Sequence, residues 1–390
     1  MSNDSFTETP SSGWFSRIGN SIKGILFGVV MILVSIVIMF WNEGRAVKAR
    51  KTLDEGAKTV VSIPADTLDG SKDGTLVYMT GIANTSAQLQ DSEFNVTAPA
   101  LKLRRSVEMY QWEEETKTET KKKLGGSEET TTTYSYEKDW SDKAIDSSKF
   151  KKPVGHENPA LPVEAKTWTA SPITVGAYTL SAGLEEQINN FTPVAADAES
   201  VAPEMLDGRK VHAEGSGFYL GEDPTIPAVG DARVTHQAAL PGDVSLIAKL
   251  QGDSFEPFTA KAGGNIEMLE TGSHSPESMF ETAQAGNRMM TWILRFIGVL
   301  MMFFGFSAIF RPLSVIADVL PIAATIVGAG TGLVALLLTI PISLVIIAIA
   351  WIFYRPLVGS PLVIVAIAGF VFLIRKLLAA RNSRQAPVLA

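Results

Sequence analysis

The sequence predicts an α+β membrane protein: four transmembrane helices, with a large β-rich extracytoplasmic domain inserted between the first and second. Three observations carry this. Residues 24–41 contain no charged side chain, and from 292 to 374 only Arg295, Arg311, Asp318 and Arg355 interrupt the apolar sequence. Backbone polar groups cannot go unpaired in hydrocarbon, so such runs cross as helices, and a crossing takes about 20 apolar residues. The polar middle instead alternates apolar and polar residues in short runs bounded by Gly and Asp, the pattern of half-buried antiparallel strands.

Residues 1–23 are read as a cytoplasmic tail and interfacial helix. Residues 1–12, rich in Ser, Thr and Asp, are expected to be disordered. In 14–23, Trp14, Phe15, Ile18 and Ile22 fall near one helical face, with Trp14 at headgroup depth. Residues 24–41 are transmembrane helix 1, an uncleaved anchor, because no small-x-small site precedes Asn42-Glu43-Gly44-Arg45. Residues 42–291 form the β-rich extracytoplasmic domain with helical connecting arms. Strands are expected at 75–82, 101–112, 130–138, 218–220, 232–239, 244–251 and 265–270. The Thr-, Lys- and Glu-rich segment 116–133 reads as a solvated hairpin tip.

Transmembrane helix 2 is placed at 292–310, ended by Arg311-Pro312. An interfacial or re-entrant helix follows at 313–327, then a break at Gly328, Gly330 and Gly332, then helix 3 at 333–353. Tyr354-Arg355-Pro356 turns the chain into helix 4 at 357–374, and 375–390 is a basic cytoplasmic tail. Five crossings, with 319–338 spanning, is the alternative. The tail residues Arg375, Lys376, Arg381 and Arg384 place both termini in the cytoplasm by the positive-inside rule, against the countersignal of Arg45, Lys48, Arg50 and Lys51.

Composition narrows the function. The chain has no cysteine, which excludes disulfides, thiolate nucleophiles and cysteine metal sites. Its net charge of −7 argues against a nucleic-acid role. No nucleophile elbow, P-loop or H-E-x-x-H motif occurs, so no cofactor or metal is expected.

A few charged residues remain as candidates for interaction or structural roles. Glu43 and Arg45 stand at the bilayer boundary and can pair with each other, with lipid headgroups, or with Arg355 and Asp318. Asp318 near membrane depth is a functional acid if it is buried, and simply faces water if its helix lies at the interface. Arg355 reads as an interfacial anchor on the same side as Arg45. Strand alternation sends Arg104 and Arg105 to opposite faces, and whichever is buried needs a carboxylate, with Glu108 the candidate. His156, beside Glu157 in a Gly- and Pro-bounded loop, is either a general base or ligand, or an imidazole bonding a turn.

Several strings resemble the LUMA family, transmembrane protein 43. They are residues 42–49, the run LKLRRSVEMYQW at 101–112 followed by Glu113-Glu114-Glu115, residues 134–140, 155–159, 227–234 and 351–357. The resemblance runs from about Phe15 to Arg375. It implies four spans, cytoplasmic termini and a large lumenal or exoplasmic domain. For animal members it implies the endoplasmic reticulum and inner nuclear membrane, with lamins and emerin as partners; in a prokaryote only the architecture, in the cell membrane, carries over. It assigns no catalytic residue. The expectation is therefore a non-enzymatic multi-pass scaffold that organises a membrane region by binding protein or lipid and by self-association. The rivals are a membrane-surface enzyme built around His156 and a transporter or channel subunit.

Overall fold

The computed structural model describes residues 5–194, 203–214, 217–319, 321–357 and 361. The chain divides into a β-rich unit (1–10, 52–121 and 129–283) and a helical unit (11–51, 122–128 and 284–390). The described α-helices are α1 (Trp14–Thr59), α2 (Ala182–Gln187), α3 (Pro276–Ala317) and α4 (Pro321–Tyr354). Three of them, α1, α3 and α4 over Val327–Tyr354, are long and apolar enough to cross a membrane. The expected helix 4 at 357–374 and the tail at 375–390 lie outside the described residues, save Leu357 and Pro361.

Helix continuity is greater than the sequence reading allowed. The interfacial helix at 313–327 and the break at Gly328, Gly330 and Gly332 are not seen: α3 runs through Pro312 to Ala317, and α4 starts at Pro321 and carries the three glycines inside it. Proline and glycine are weaker breakers here than in water, because abandoning the helix would leave more backbone groups unpaired in an apolar setting. Glycine also permits close packing. A Cβ on Gly28 of α1 would stand 2.6 Å from the Gly305 carbonyl oxygen of α3, so the two backbones touch where neither has a side chain. Met39, Met302 and Ile346 fill the centre of the three helices.

In the β-rich unit one sheet runs from Glu128–Ser141 through Lys102–Lys122, Ala232–Ala239 and Gly217–Leu220 to Arg209–Glu214. A second runs from Thr174–Val175 through Leu76–Asn84 to Gly242–Gln251. The largest core, with Val77, Met79, Tyr178, Leu246 and Ala248, lies on the second sheet. The last turns of α1 and the first of α3 belong to this unit: Leu53, Met279 and Phe280 pack with Leu76, Ile247 and Ile266. That anchoring is hydrophobic, and each fully buried side chain of this size contributes about 1.5–3 kcal/mol.

One expectation near the N-terminus is corrected. Residues 5–8 are not disordered: Ser5–Glu8 pairs antiparallel with residues 132–135, in register Thr7 with Thr133, and Lys151 bonds Glu8. Ladder hydrogen bonds and an ion pair offset the polar composition. The hairpin tip is exposed over residues 116–125, as expected, and is tied down at its turn. Residues 122–128 sit within the helical unit, where Gly126 is buried against the Trp14 indole.

Candidate functional site

In the β-rich unit the charged network centres on Arg105. Register places Arg105 opposite His236 and Arg104 opposite Gln237, so alternation sends one pair to each face. Arg104 donates from Nε to Gln237 Oε1 at 3.1 Å and lies over the Phe191 ring at 4.1 Å. Arg105 is the buried one. Its Nη1 donates to Asp91 Oδ1 and Oδ2 at 3.0 and 2.9 Å and also pairs with Glu93, while Nε donates to the Glu164 carbonyl at 2.9 Å. His236 Nε2 lies 2.8 Å from Asp91 Oδ2, with Phe94 and Phe218 edge-on to the imidazole. Glu108, the carboxylate expected to pair, is exposed on the opposite face, because it lies an odd number of residues along the strand from Arg105. Burial pushes the Asp91 carboxyl up, but the His236 hydrogen bond and the Arg105 charge outweigh it and hold the group below the usual carboxylate range. A cavity of about 650 Å³ opens beside the network, reaching Lys166 and Trp168.

Four further titratable groups of this unit are also tied to structure. His156 is buried, with Nδ1 2.8 Å from the Lys152 carbonyl; its ring stacks on Tyr136 at 3.9 Å and meets Trp112 edge-on at 4.7 Å. Asp231 accepts from the Tyr219 hydroxyl at 2.5 Å and the Ala228 amide at 2.8 Å. Burial and that carboxylate push the Tyr219 hydroxyl up. Lys102 is buried and donates to the Glu186 and Ile188 carbonyls at 3.2 and 3.0 Å, at the C-terminal end of α2. Burial lowers its amine below the usual range.

The helical unit holds two polar clusters, one at each end of the apolar stretch of α1. At the first, Glu43 is fully buried and accepts from Arg295 Nε at 2.6 Å and Trp351 Nε1 at 2.8 Å. Arg45 pairs with none of the expected acids. It donates to Asn287 Oδ1 at 3.1 Å and Thr291 Oγ1 at 3.0 Å, while Asn42 Nδ2 donates to the Thr291 carbonyl at 3.0 Å. Arg355 lies near this cluster, on the rim of a cavity with Trp351 and Arg295. At the other end Asp318 is fully buried rather than facing water. It is paired with Arg17 and, at 2.8 Å, with Lys122 of the hairpin tip. Arg17 also reaches Glu128 at 2.7 Å, and the Trp14 indole donates to the Val315 carbonyl at 2.9 Å.

Glu43, Arg45 and Arg355 thus share one end of the helices and Asp318 takes the other. Sequence reasoning missed Asp91, His236, Arg295 and Arg17 as partners. One signal was available for Arg295: an ionised group inside an apolar run requires a partner from another run. Among the described residues no cluster of His, Asp and Glu has metal-binding geometry.

Residues 109–356 match the family described as Transmembrane protein 43. Transmembrane protein 43 of Rattus norvegicus is 35% identical over 364 residues, covering 90% of this chain and 89% of that protein. The Homo sapiens protein of the same name is 34% identical, with 88% of each chain covered. Transmembrane protein 43 homolog of Drosophila melanogaster is 30% identical over 90% of this chain and 94% of that protein. No solved structure matches the chain.

Proposed function

The chain belongs to the transmembrane protein 43 family of membrane proteins, and from that premise we propose that it is a non-enzymatic scaffold that organises a membrane region. Its β-rich domain is the binding surface for protein or lipid, and copies of the chain self-associate. One observation carries the reading. The buried ionisable groups Arg105, Asp91, His236, Lys102 and Asp231 each bond a neighbouring protein group, so they lock strands together instead of being held ready for a substrate. His156, the centre of the enzymatic alternative, has its ring packed between Tyr136 and Trp112 and one nitrogen on a backbone carbonyl. Lamins and emerin belong to this reading only for a member working in an animal cell, at the nuclear envelope and endoplasmic reticulum.

The experiment is chemical crosslinking in native membranes followed by affinity capture, with the full chain and with a chain lacking residues 52–285. Loss of the captured partners on deletion is expected. Retention of the same partners would assign the interaction to the helices and end this proposal.

A further inference from the structure

Within the helical unit a cavity of about 330 Å³ opens where α1, α3 and α4 meet, and four arginines line it: Arg50, Arg288, Arg295 and Arg355. Trp292 and Trp351 form part of its wall. Among the described residues lining it there is no Asp or Glu. Arg295 is held by Glu43 at 2.6 Å and lies over the Trp292 ring at 4.8 Å, which fixes one guanidinium in the wall. Arg45 stands nearby, held by Asn42, Asn287 and Thr291, and is not itself part of the lining. Arg50 has a partner of its own and Arg295 is held by Glu43, so Arg288 and Arg355 are the lining guanidiniums on which the site's charge rests. A concave site so lined, with no lining carboxylate among the described residues, selects an anion, and planar forked donors suit phosphate oxygens.

The surroundings point to the source of that phosphate. Trp41, Trp292 and Trp351 mark one end of the three spans, as an indole belt does at headgroup depth. Toward the middle of the spans the same helices expose apolar side chains, among them Val37 at 65%, Phe296 at 64% and Ile349 at 52%. A ligand with its phosphate among the arginines and its chains along these side chains satisfies both surfaces. Basic pockets between transmembrane helices hold anionic headgroups in this manner.

We propose that this cavity is a binding site for a phosphate-bearing anion and that its occupant is the headgroup of an anionic phospholipid. The site lies in the helical unit and is independent of what the β-rich domain binds.

The test uses the full chain purified in a neutral detergent and titrated with dioleoylphosphatidylglycerol, with dioleoylphosphatidylcholine, and with inorganic phosphate, binding being read by native mass spectrometry and by protection from thermal unfolding. Phosphatidylglycerol should bind at least about tenfold more tightly than phosphatidylcholine, a difference of about 1.4 kcal/mol. The double variant Arg288→Gln with Arg355→Gln should lose that preference. Arg288→Lys with Arg355→Lys, which keeps the charge and loses the fork, should retain only part of it. Lys117→Gln with Lys121→Gln, an equal charge loss on the exposed hairpin, should keep all of it. Equal binding of the two lipids, or equal loss in the arginine and lysine-to-glutamine variants, overturns the site. Displacement of phosphatidylglycerol by inorganic phosphate at comparable concentration overturns the lipid as its occupant.

Discussion

Replacing Asp91 by Ala should be among the most damaging single changes in the β-rich unit. Asp91 is 1% exposed and accepts from both Arg105 and His236. Its loss strands a guanidinium that is 3% exposed, with only Glu93 and the Glu164 carbonyl left to it. It also removes the partner of His236 Nε2, on a ring whose Nδ1 already has none among the described residues. Breaking a buried ion pair from one side costs about 3–5 kcal/mol, and a buried donor left unsatisfied adds about 1–3 kcal/mol. Glu93 retains part of the charge pairing, so the total should fall near 4 kcal/mol, against a typical domain stability of about 5–15 kcal/mol. The measurement is denaturant unfolding of the detergent-solubilised full chain followed by tryptophan fluorescence, since Trp168 lies 5.5 Å from the Arg105 guanidinium and reports on this corner. Glu108→Ala, which removes the acid suggested by sequence spacing, is the control and should match the unsubstituted chain. If Asp91→Ala shifts the midpoint no more than Glu108→Ala does, the assignment of the Arg105 partner is wrong.

The same carboxylate sets an acid limit. A carboxyl depressed on folding adds stability above its unfolded pKa of about 3.9 and loses it as pH falls through the folded value, so stability should decline below about pH 4 and the decline should be shallower in Asp91→Asn. Gly305→Leu should separate α1 from α3, because a Cβ there already stands 2.7 Å from Ile32 Cγ1; faster proteolysis in detergent is the readout, and unchanged resistance would refute the close packing. Glu43→Ala leaves Arg295 and the Trp351 indole without their acceptor and should lower the melting temperature in detergent more than Glu43→Gln does. Finally, Thr7→Cys with Thr133→Cys, two residues in register with hydroxyls 3.4 Å apart, should form a disulfide in native membranes on mild oxidation. The natural chain has no cysteine, so a reduction-sensitive mobility shift has a clean background, and its absence would show that Ser5–Glu8 and the hairpin do not meet.

The sequence was most legible where one physical constraint acts over many residues. Twenty uncharged positions force a helix, so the apolar parts of α1, α3 and α4 stood out, as did alternating strands such as Ala232–Ala239 and Gly242–Gln251. It was less legible where the same residue behaves differently in different solvents. Pro312 and the glycines of α4 are turn signals in water and are carried within helices here. It was least legible where partners are distant in the chain. Alternation correctly sends Arg104 and Arg105 to opposite faces, yet nothing local identifies Asp91, which approaches from the loop-bounded strand Leu89–Asp91. Arg17 and Asp318 stand 301 residues apart, and nothing local to either one identifies the other.

The clasp of Ser5–Glu8 on the hairpin also has a meaning for biogenesis. Thr7 and Thr133 are 126 residues apart, so at about 5–20 residues per second the ribosome delivers the second roughly 6–25 s after the first. By then the apolar segment of α1 has long left the exit tunnel, and the translocon has had its chance to receive it. The four-residue strand can find its mate only if that earlier event left it in the same aqueous compartment, so closure of the clasp records a decision taken before half of the polypeptide existed.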